Sequence, residues 1–293
     1  MKNLKQGLLL ATLLMSQPML ACTVDGSEGF VPENNLKISV NAKRSGGLSE
    51  KQFNDIIDQV EGMYAPIVKQ EGGNLSVVRN WTDGTVNAYA QQNGKEWSVS
   101  MFGGLARHDT ITTDGFALVV CHEIGHHIGG APRKASPWSS PWASNEGQAD
   151  YFATLKCLRR VWLSENNGAI VRQMKNVPGA LTDTCNKQWH SDADRALCVR
   201  GGMSGDSVAR LFAALRTQGP ALFETPDAKQ VAVTDDNHPD TQCRLDTYFQ
   251  GALCEKSFNE NLEAKSEVTG ACHGSTGQTI GLRPRCWFKP SLK

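Results

Sequence analysis

No charge of one sign is in excess in this sequence: 30 Lys and Arg stand against 30 Asp and Glu. A chain balanced in this way has no field to steer nucleic acid or an acidic membrane toward it, so nucleic acid is not an expected partner. Long hydrophobic runs are missing as well. The apolar stretch from Gly7 to Met15 is well short of the ~20 residues that cross a bilayer, and no other segment comes near that length, so no transmembrane helix is expected. No internal repeat or low-complexity tract stands out, which sets aside repeat architectures. An ordinary globular composition over 293 residues remains, enough to bury a sizeable core.

The first residues are informative. Met1, Lys2 and Lys5 give a basic start, the short apolar run follows, and Ser16-Gln17-Pro18-Met19-Leu20-Ala21-Cys22 closes it. This pattern reads as a cleavable export signal over residues 1–21. Met19-Leu20-Ala21-Cys22 resembles a bacterial lipobox, in which the cysteine is lipidated and becomes the new N-terminus. Met stands where Leu is preferred, and simple cleavage after Ala21 is the other reading. The chain has nine cysteines. Without Cys22, eight remain (Cys121, Cys157, Cys185, Cys198, Cys243, Cys254, Cys272 and Cys286), compatible with up to four bridges of unspecified connectivity. So many cysteines favour an oxidising compartment, although Cys121 can equally be a buried free thiol. The expected location is outside the cytosol: periplasmic, with a lipid anchor to the outer membrane through Cys22, or secreted.

Residues 22–47 are rich in Gly, Ser, Asn and Pro and read as a linker, with at most a short strand near Leu36 to Val40. Ser49, with Gln52 three residues on, predicts a capped helix with a core stripe of Phe53, Ile56, Ile57, Val60 and Met63. The period then changes to two. Leu75 to Trp81, Val86 to Ala90 and Trp97 to Phe102 read as strands, with turns at Asp83-Gly84 and Asn93-Gly94, and predict a small antiparallel sheet. A helix from Thr113 or Asp114 to His127 or Ile128 is stopped by Gly129-Gly130 and Pro132. A loop with Pro137, Trp138, Pro141 and Trp142 leads to a helix from Asn145 to about Arg160. Further helices are expected at Ser207 to Thr217 and Thr241 to Leu253. Beyond Cys254 the chain reads as a disulfide-stapled tail. The resulting fold class is α+β and helix-rich, with a main domain over 48–253 and a Cys-rich extension over 254–293.

The central helix carries His122-Glu123-Ile124-Gly125-His126. Positions i and i+4 of a helix share a face, so both histidines can aim a ring nitrogen at one metal ion. Glu123 is rotated by about 100° and reaches the same region without being a ligand, which suits a general base acting on metal-activated water. Chance supplies such a string in a chain of this size on the order of one time in a hundred, and the helical setting adds to its weight. One zinc ion with two histidines needs a third protein ligand. Residues 131–137 hold no histidine, and Glu146, in Asn145-Glu146-Gly147-Gln148-Ala149-Asp150, fits instead. Asp150, one turn later, is placed to accept a hydrogen bond from a ligand histidine. The plain alternative is an acidic helix start. His127 points away and reads as a packing residue.

With these residues in place, the chain resembles the gluzincin peptidases of the HtpX and prenyl-protein-protease family, as a soluble periplasmic branch. Four landmarks occur in order: Asn87-Ala88-Tyr89-Ala90, the helix motif, Glu146-Gly147-Gln148-Ala149-Asp150, and His238-Pro239 followed by Arg244-Leu245. The resemblance covers about residues 85 to 250. It implies a zincin-like fold, zinc held by His122, His126 and Glu146, and Glu123 as the base. It also implies that His238 and Arg244 lie near the metal, polarising an oxyanion or gating the site, and that the strand after Asn87 leads into an edge that holds substrate backbone. Cys121 stands where a small Ala is usual, and neither the eight cysteines nor the tail has a counterpart.

The leading expectation is a zinc metalloendopeptidase acting on a protein or peptide in the bacterial envelope, with substrate adding as a strand beside Trp97 to Gly104 and Trp138 and Trp142 either lining side-chain pockets or capping the core. An envelope assembly or chaperone-like binding protein with a gated or structural zinc site is the alternative. Hydrolysis of a non-peptide amide such as a cell-wall bond is a third. Oligomeric state is not legible.

Overall fold

Ser49 opens the first helix as expected: its hydroxyl accepts from Gln52 N, and the Gln52 side chain returns to the Ser49 backbone. This is seen in a computed structural model that describes residues 29–42, 46–134 and 142–291. The expected export signal, Cys22 with residues 23–28 of the expected linker, and Pro137, Trp138 and Pro141 lie outside the described residues. Helix α1 (Glu50–Gln70) buries Phe53, Ile57, Val60, Tyr64 and Val68. The stripe continues from Val60 through Tyr64, one turn on, so Met63 faces out and is 39 % exposed. Met63 is therefore not a core residue.

Strands β1 (Asn74–Asn80), β2 (Ala88–Asn93) and β3 (Glu96–Phe102) form one sheet in the order β1-β3-β2. β2 and β3 make the expected hairpin, closed by the pair Asn93 and Glu96. β1, however, runs parallel to β3, so the sheet is mixed and not antiparallel. Asp83-Gly84 does not close a hairpin. It lies in a connector that carries the chain past β3, and Arg107 fixes it by donating to the carbonyls of Trp81, Asp83 and Ile38 at 2.7–3.1 Å. β3 is consequently the central strand, and both its edges are paired. The expected substrate edge at Trp97 to Gly104 is corrected by this order; β2 is an edge instead. The strand expected near Leu36 reduces to a single bridge between Lys37 and Thr85.

After the short α2 (Gly103–Ala106) comes α3 (Thr113–Ile128), the centre of the core, which packs against α1, the sheet and later helices. Its C-terminal stop is shared: Gly129 stays right-handed, and Gly130 takes the left-handed φ of 79°. The expected helix from Asn145 appears as α4 (Glu146–Phe152), a π-helical stretch over Ala153–Cys157, and α5 (Leu158–Val161). Two short helices were not expected, α6 (Asn167–Gln173) and α7 (Gly179–Gln188), and α8 (Asp192–Arg216) starts fifteen residues before the expected Ser207. α9 (Thr241–Leu253) falls where the sequence placed it.

Disulfide pairs join Cys121 to Cys157, Cys185 to Cys198, Cys243 to Cys286 and Cys254 to Cys272. Cys121 is thus not a free thiol; it ties α3 to the π-helical stretch. Two of the bridges fasten the segment after α9 onto it, and Trp287 there is fully buried. No helix among the described residues is long and apolar enough to cross a membrane. The α+β, disulfide-containing class expected from sequence is what the chain adopts.

Candidate metal centre

Thr112 caps α3 by accepting from Gly115 N, and the helix runs buried from Asp114 through His127. His122 and His126 lie one turn apart on one face, with ring centroids 4.7 Å apart and planes at 90°. α4 comes against that face because Gly125 lacks a side chain: a Cβ there would stand 2.9 Å from Phe152 Cδ1 and 3.1 Å from Ala149 Cα. Asn145 caps α4 by accepting from Gln148 N, which sets Glu146 at the first helical position, opposite both histidines. Glu146 Oε2 is 3.3 Å from His122 Nε2, and Oε1 is 3.7 Å from His126 Nε2. Ligand atoms of the three residues lie within 4.8 Å of one another, and all three are buried. This group could hold a metal ion.

Each histidine is oriented through its other nitrogen. His126 Nδ1 is 2.8 Å from the Ser144 carbonyl, and His122 Nδ1 is 2.7 Å from Asp150 Oδ1. Those contacts turn both Nε2 atoms toward Glu146. Burial pushes His126 down to about 3, so its ring is neutral, the form that ligates metal. Burial also acts to lower His122, but Asp150 and Glu146 outweigh it and raise the ring to about 9. Burial acts to raise Glu146, yet His238, His126 and Lys134 hold it well below the carboxylate range.

Glu123 is fully buried, and neither of its carboxylate oxygens hydrogen-bonds to any described residue. Burial pushes its carboxyl up to about 8. An orphaned carboxylate beside two imidazoles and a second carboxylate is costly in a core. Nitrogen and oxygen donors of this kind suit zinc among the common ions, so the residues present fit the expected cofactor, although they do not identify the metal.

The remaining expected residues divide. His238 does come to the centre: its Nε2 is 3.3 Å from Glu146 Oε2 and 2.8 Å from the Gly29 carbonyl. Asn145 helps to hold its loop by donating to Asp235 O and Asp236 Oδ1. Arg244 lies behind the ligands, not in front of them. It is fully buried, donates twice to Asp150 and once to Phe30 O, and its guanidinium carbon stands 4.1 Å over the Phe212 ring. It is placed to position Asp150, with each of its three nitrogens donating once. His127 packs between Trp97 and Trp142, stacked on both. Trp142 therefore covers His127.

Several residues of the centre were not singled out from sequence. Phe30, read as linker, is fully buried with its ring edge-on to His122 at 4.9 Å. Its N–H donates to Ala88 O, and the Asn87 side chain bonds both the N–H and the C=O of Val31. The Asn87-Ala88 stretch thus holds this chain's own segment, and the linker ends before Gly29. An apolar pair inside a polar stretch was the available signal. Lys134 Nζ lies 3.0 Å from Glu146 Oε1. Tyr248 donates to Asp150 Oδ1 at 2.7 Å, reaching it across Gly205, where a Cβ would stand 2.8 Å from Tyr248 Cβ. A second group, Asp227 with Cys243 and Cys286, has its two sulfurs joined to each other and offers no thiolates.

Compared with known proteins, the chain matches no family model, no curated protein and no solved structure.

Proposed function

We propose that this chain is a zinc-dependent endopeptidase of the gluzincin type, with a zincin-like fold, that hydrolyses peptide bonds in the bacterial cell envelope. The observation that carries the reading is the pairing of three residues that could hold a metal ion, His122, His126 and Glu146, with the buried carboxylate of Glu123, which hydrogen-bonds to no described residue. A structural metal site needs the first and has no use for the second.

Zinc, when bound, supplies Lewis acidity toward water and an amide carbonyl, and its charge draws the Glu123 pKa down toward neutrality. Glu123 then takes a proton from the attacking water at a carboxylate oxygen and returns it to the leaving amine. Asp150 and the Ser144 carbonyl keep the two imidazoles in the ligating tautomer. Arg244 and Tyr248 keep Asp150 in place. His238, beside Glu146, would reach the developing oxyanion by exchanging its contact with the Gly29 carbonyl for it.

Substrate would add to the edge of β2 away from β3, beyond the point where Phe30 pairs with it. Ala88 O already accepts from Phe30 N, and the two-residue period of a strand turns the backbone groups of Ala90 and Gln92 the same way. These offer an extended peptide its ladder. Export is supported by four disulfide pairs, which account for every cysteine after Cys22 and favour an oxidising compartment. A signal over 1–21 and lipid attachment at Cys22 belong to the same proposal.

The test is Glu123→Gln. The variant keeps its zinc and loses cleavage of a peptide library. If instead it fully rescues a strain that lacks the protein, the chain acts as an envelope assembly factor and not through peptide hydrolysis.

A further inference from the structure

On the side of α1 away from its capping box, the start of α5 and the segment after Cys254 enclose a cavity of about 540 Å3. Its floor is unusual for a cavity walled by Ile67, Ile128, Phe152 and Leu262. Tyr64 lines it and is 2 % exposed, and its phenol has the Arg160 guanidinium beside it but no acceptor for its own proton among the described residues. Arg160 lines it too, and its Nε–H is likewise without a hydrogen-bond acceptor, although Nη2 donates to Phe258 O at 2.9 Å. Arg133 and Lys156 add two more basic side chains, and Lys156, 3 % exposed, donates from Nζ to Ser257 O.

Two buried donors without acceptors are expensive; leaving one such group unpaired costs about 1–3 kcal/mol. Arg160 can only donate, and burial raises the Tyr64 phenol above its ordinary value, so its proton stays on and is available to an acceptor. The nearby charges are positive. The acids that line the same cavity, Glu71, Glu260 and Glu263, are all exposed. The depth of the cavity is therefore basic and donor-rich, its walls are apolar, and its mouth is acidic.

We infer that this cavity binds an apolar carboxylate, with the carboxylate accepting from Tyr64 Oη and Arg160 Nε and the apolar body lying against Ile67, Phe152 and Leu262. A dianion such as a phosphate ester fits less well, because the exposed acids oppose a second charge. A planar monoanion has two oxygens for two donors. Two sources carry this chemistry, a fatty acid and the C-terminus of a peptide that ends in an aromatic residue. The cavity adjoins the metal centre through His127 and Ile128 but contains none of the three candidate ligands, and its occupancy does not depend on the peptidase reading.

The test is calorimetric titration of the whole mature chain, with and without zinc, against decanoate and acetyl-phenylalanine, each alongside its uncharged amide. At least one acid binds saturably at a single site, its amide does not, and the tighter acid names the source. Tyr64→Phe removes only the hydroxyl and leaves the ring in the core, so it keeps the fold and weakens the acid about tenfold or more. Arg160→Gln weakens it as well. The inference is overturned if neither acid saturates at roughly millimolar concentration, if acid and amide bind alike, or if folded Tyr64→Phe, checked by circular dichroism, binds as the parent does.

Discussion

Arg244 holds the Asp150 carboxylate with two hydrogen bonds of 2.8 and 2.7 Å. The Oδ1 atom in that grip is also 2.7 Å from His122 Nδ1. The orientation of a candidate metal ligand is therefore set two residues away, by a guanidinium that touches no ligand. Asp150→Asn removes the charge that faces His122 while keeping the shape. Zinc affinity should fall by about 10–100-fold, read by competition with a chromophoric chelator. Unchanged affinity would mean that Asp150 serves the fold only. Arg244→Met should be harsher on stability, by about 3–5 kcal/mol, because it strands a buried carboxylate.

The Cys121–Cys157 bridge spans 36 residues and joins the helix of the two histidines to the π-helical stretch behind α4. Loop-closure entropy gives a crosslink of that length about 4 kcal/mol. The double variant Cys121→Ala, Cys157→Ala should lose most of that in denaturant unfolding. A loss below about 1 kcal/mol would show that packing alone holds the two helices.

Gly125 is the position at which α4 closes on α3. In Gly125→Ala the helix propensity of Ala offsets part of the overpacking cost of about 1–3 kcal/mol. The new methyl presses on Ala149, one turn beyond Glu146, so weaker zinc binding is expected alongside a small change in melting temperature. Parental zinc affinity in this variant would show that the two helices have slack.

Lys156 supplies a pH dependence. Burial pushes it down from 10.5 to about 7. Above pH ~7 the folded chain has released this proton, while the unfolded chain keeps it up to the ordinary lysine value. The unfolded state then binds more protons, so this residue makes stability climb between about pH 7 and 10 and costs stability as pH falls through that window. Lys156→Met should flatten the climb, seen as a smaller difference in unfolding free energy between the two ends of the window. Equal slopes in both proteins would contradict the assignment.

Much of the arrangement was legible because helical geometry links neighbours in sequence. One turn sets His122 beside His126, and one turn sets Asp150 behind Glu146. The capping residues Ser49 and Asn145 announced their helices. Contacts between residues far apart in the chain were not legible. Phe30 meets His122, Lys134 meets Glu146 and Tyr248 meets Asp150 only after folding, and no local period encodes them. The mixed sheet was missed because Asp83-Gly84 has the composition of a hairpin turn, while its path depends on Arg107 gripping three carbonyls. The first half of α8 was hidden by Gly201, Gly202 and Gly205, which disfavour helix locally. Two of them are spaces for Leu181 and Tyr248.

The most direct measurement combines metal content with cleavage in the purified mature chain and Glu123→Gln. The wild type should carry a single zinc ion, cleave members of a diverse peptide library, lose that activity to chelator and regain it with zinc. Glu123→Gln should carry the same zinc and lose about 10²–10⁴ in rate. Glu146→Ala should fail to hold the metal. A zinc-loaded wild type that cleaves nothing, or a Glu123→Gln variant that cleaves at the parental rate, would contradict the account.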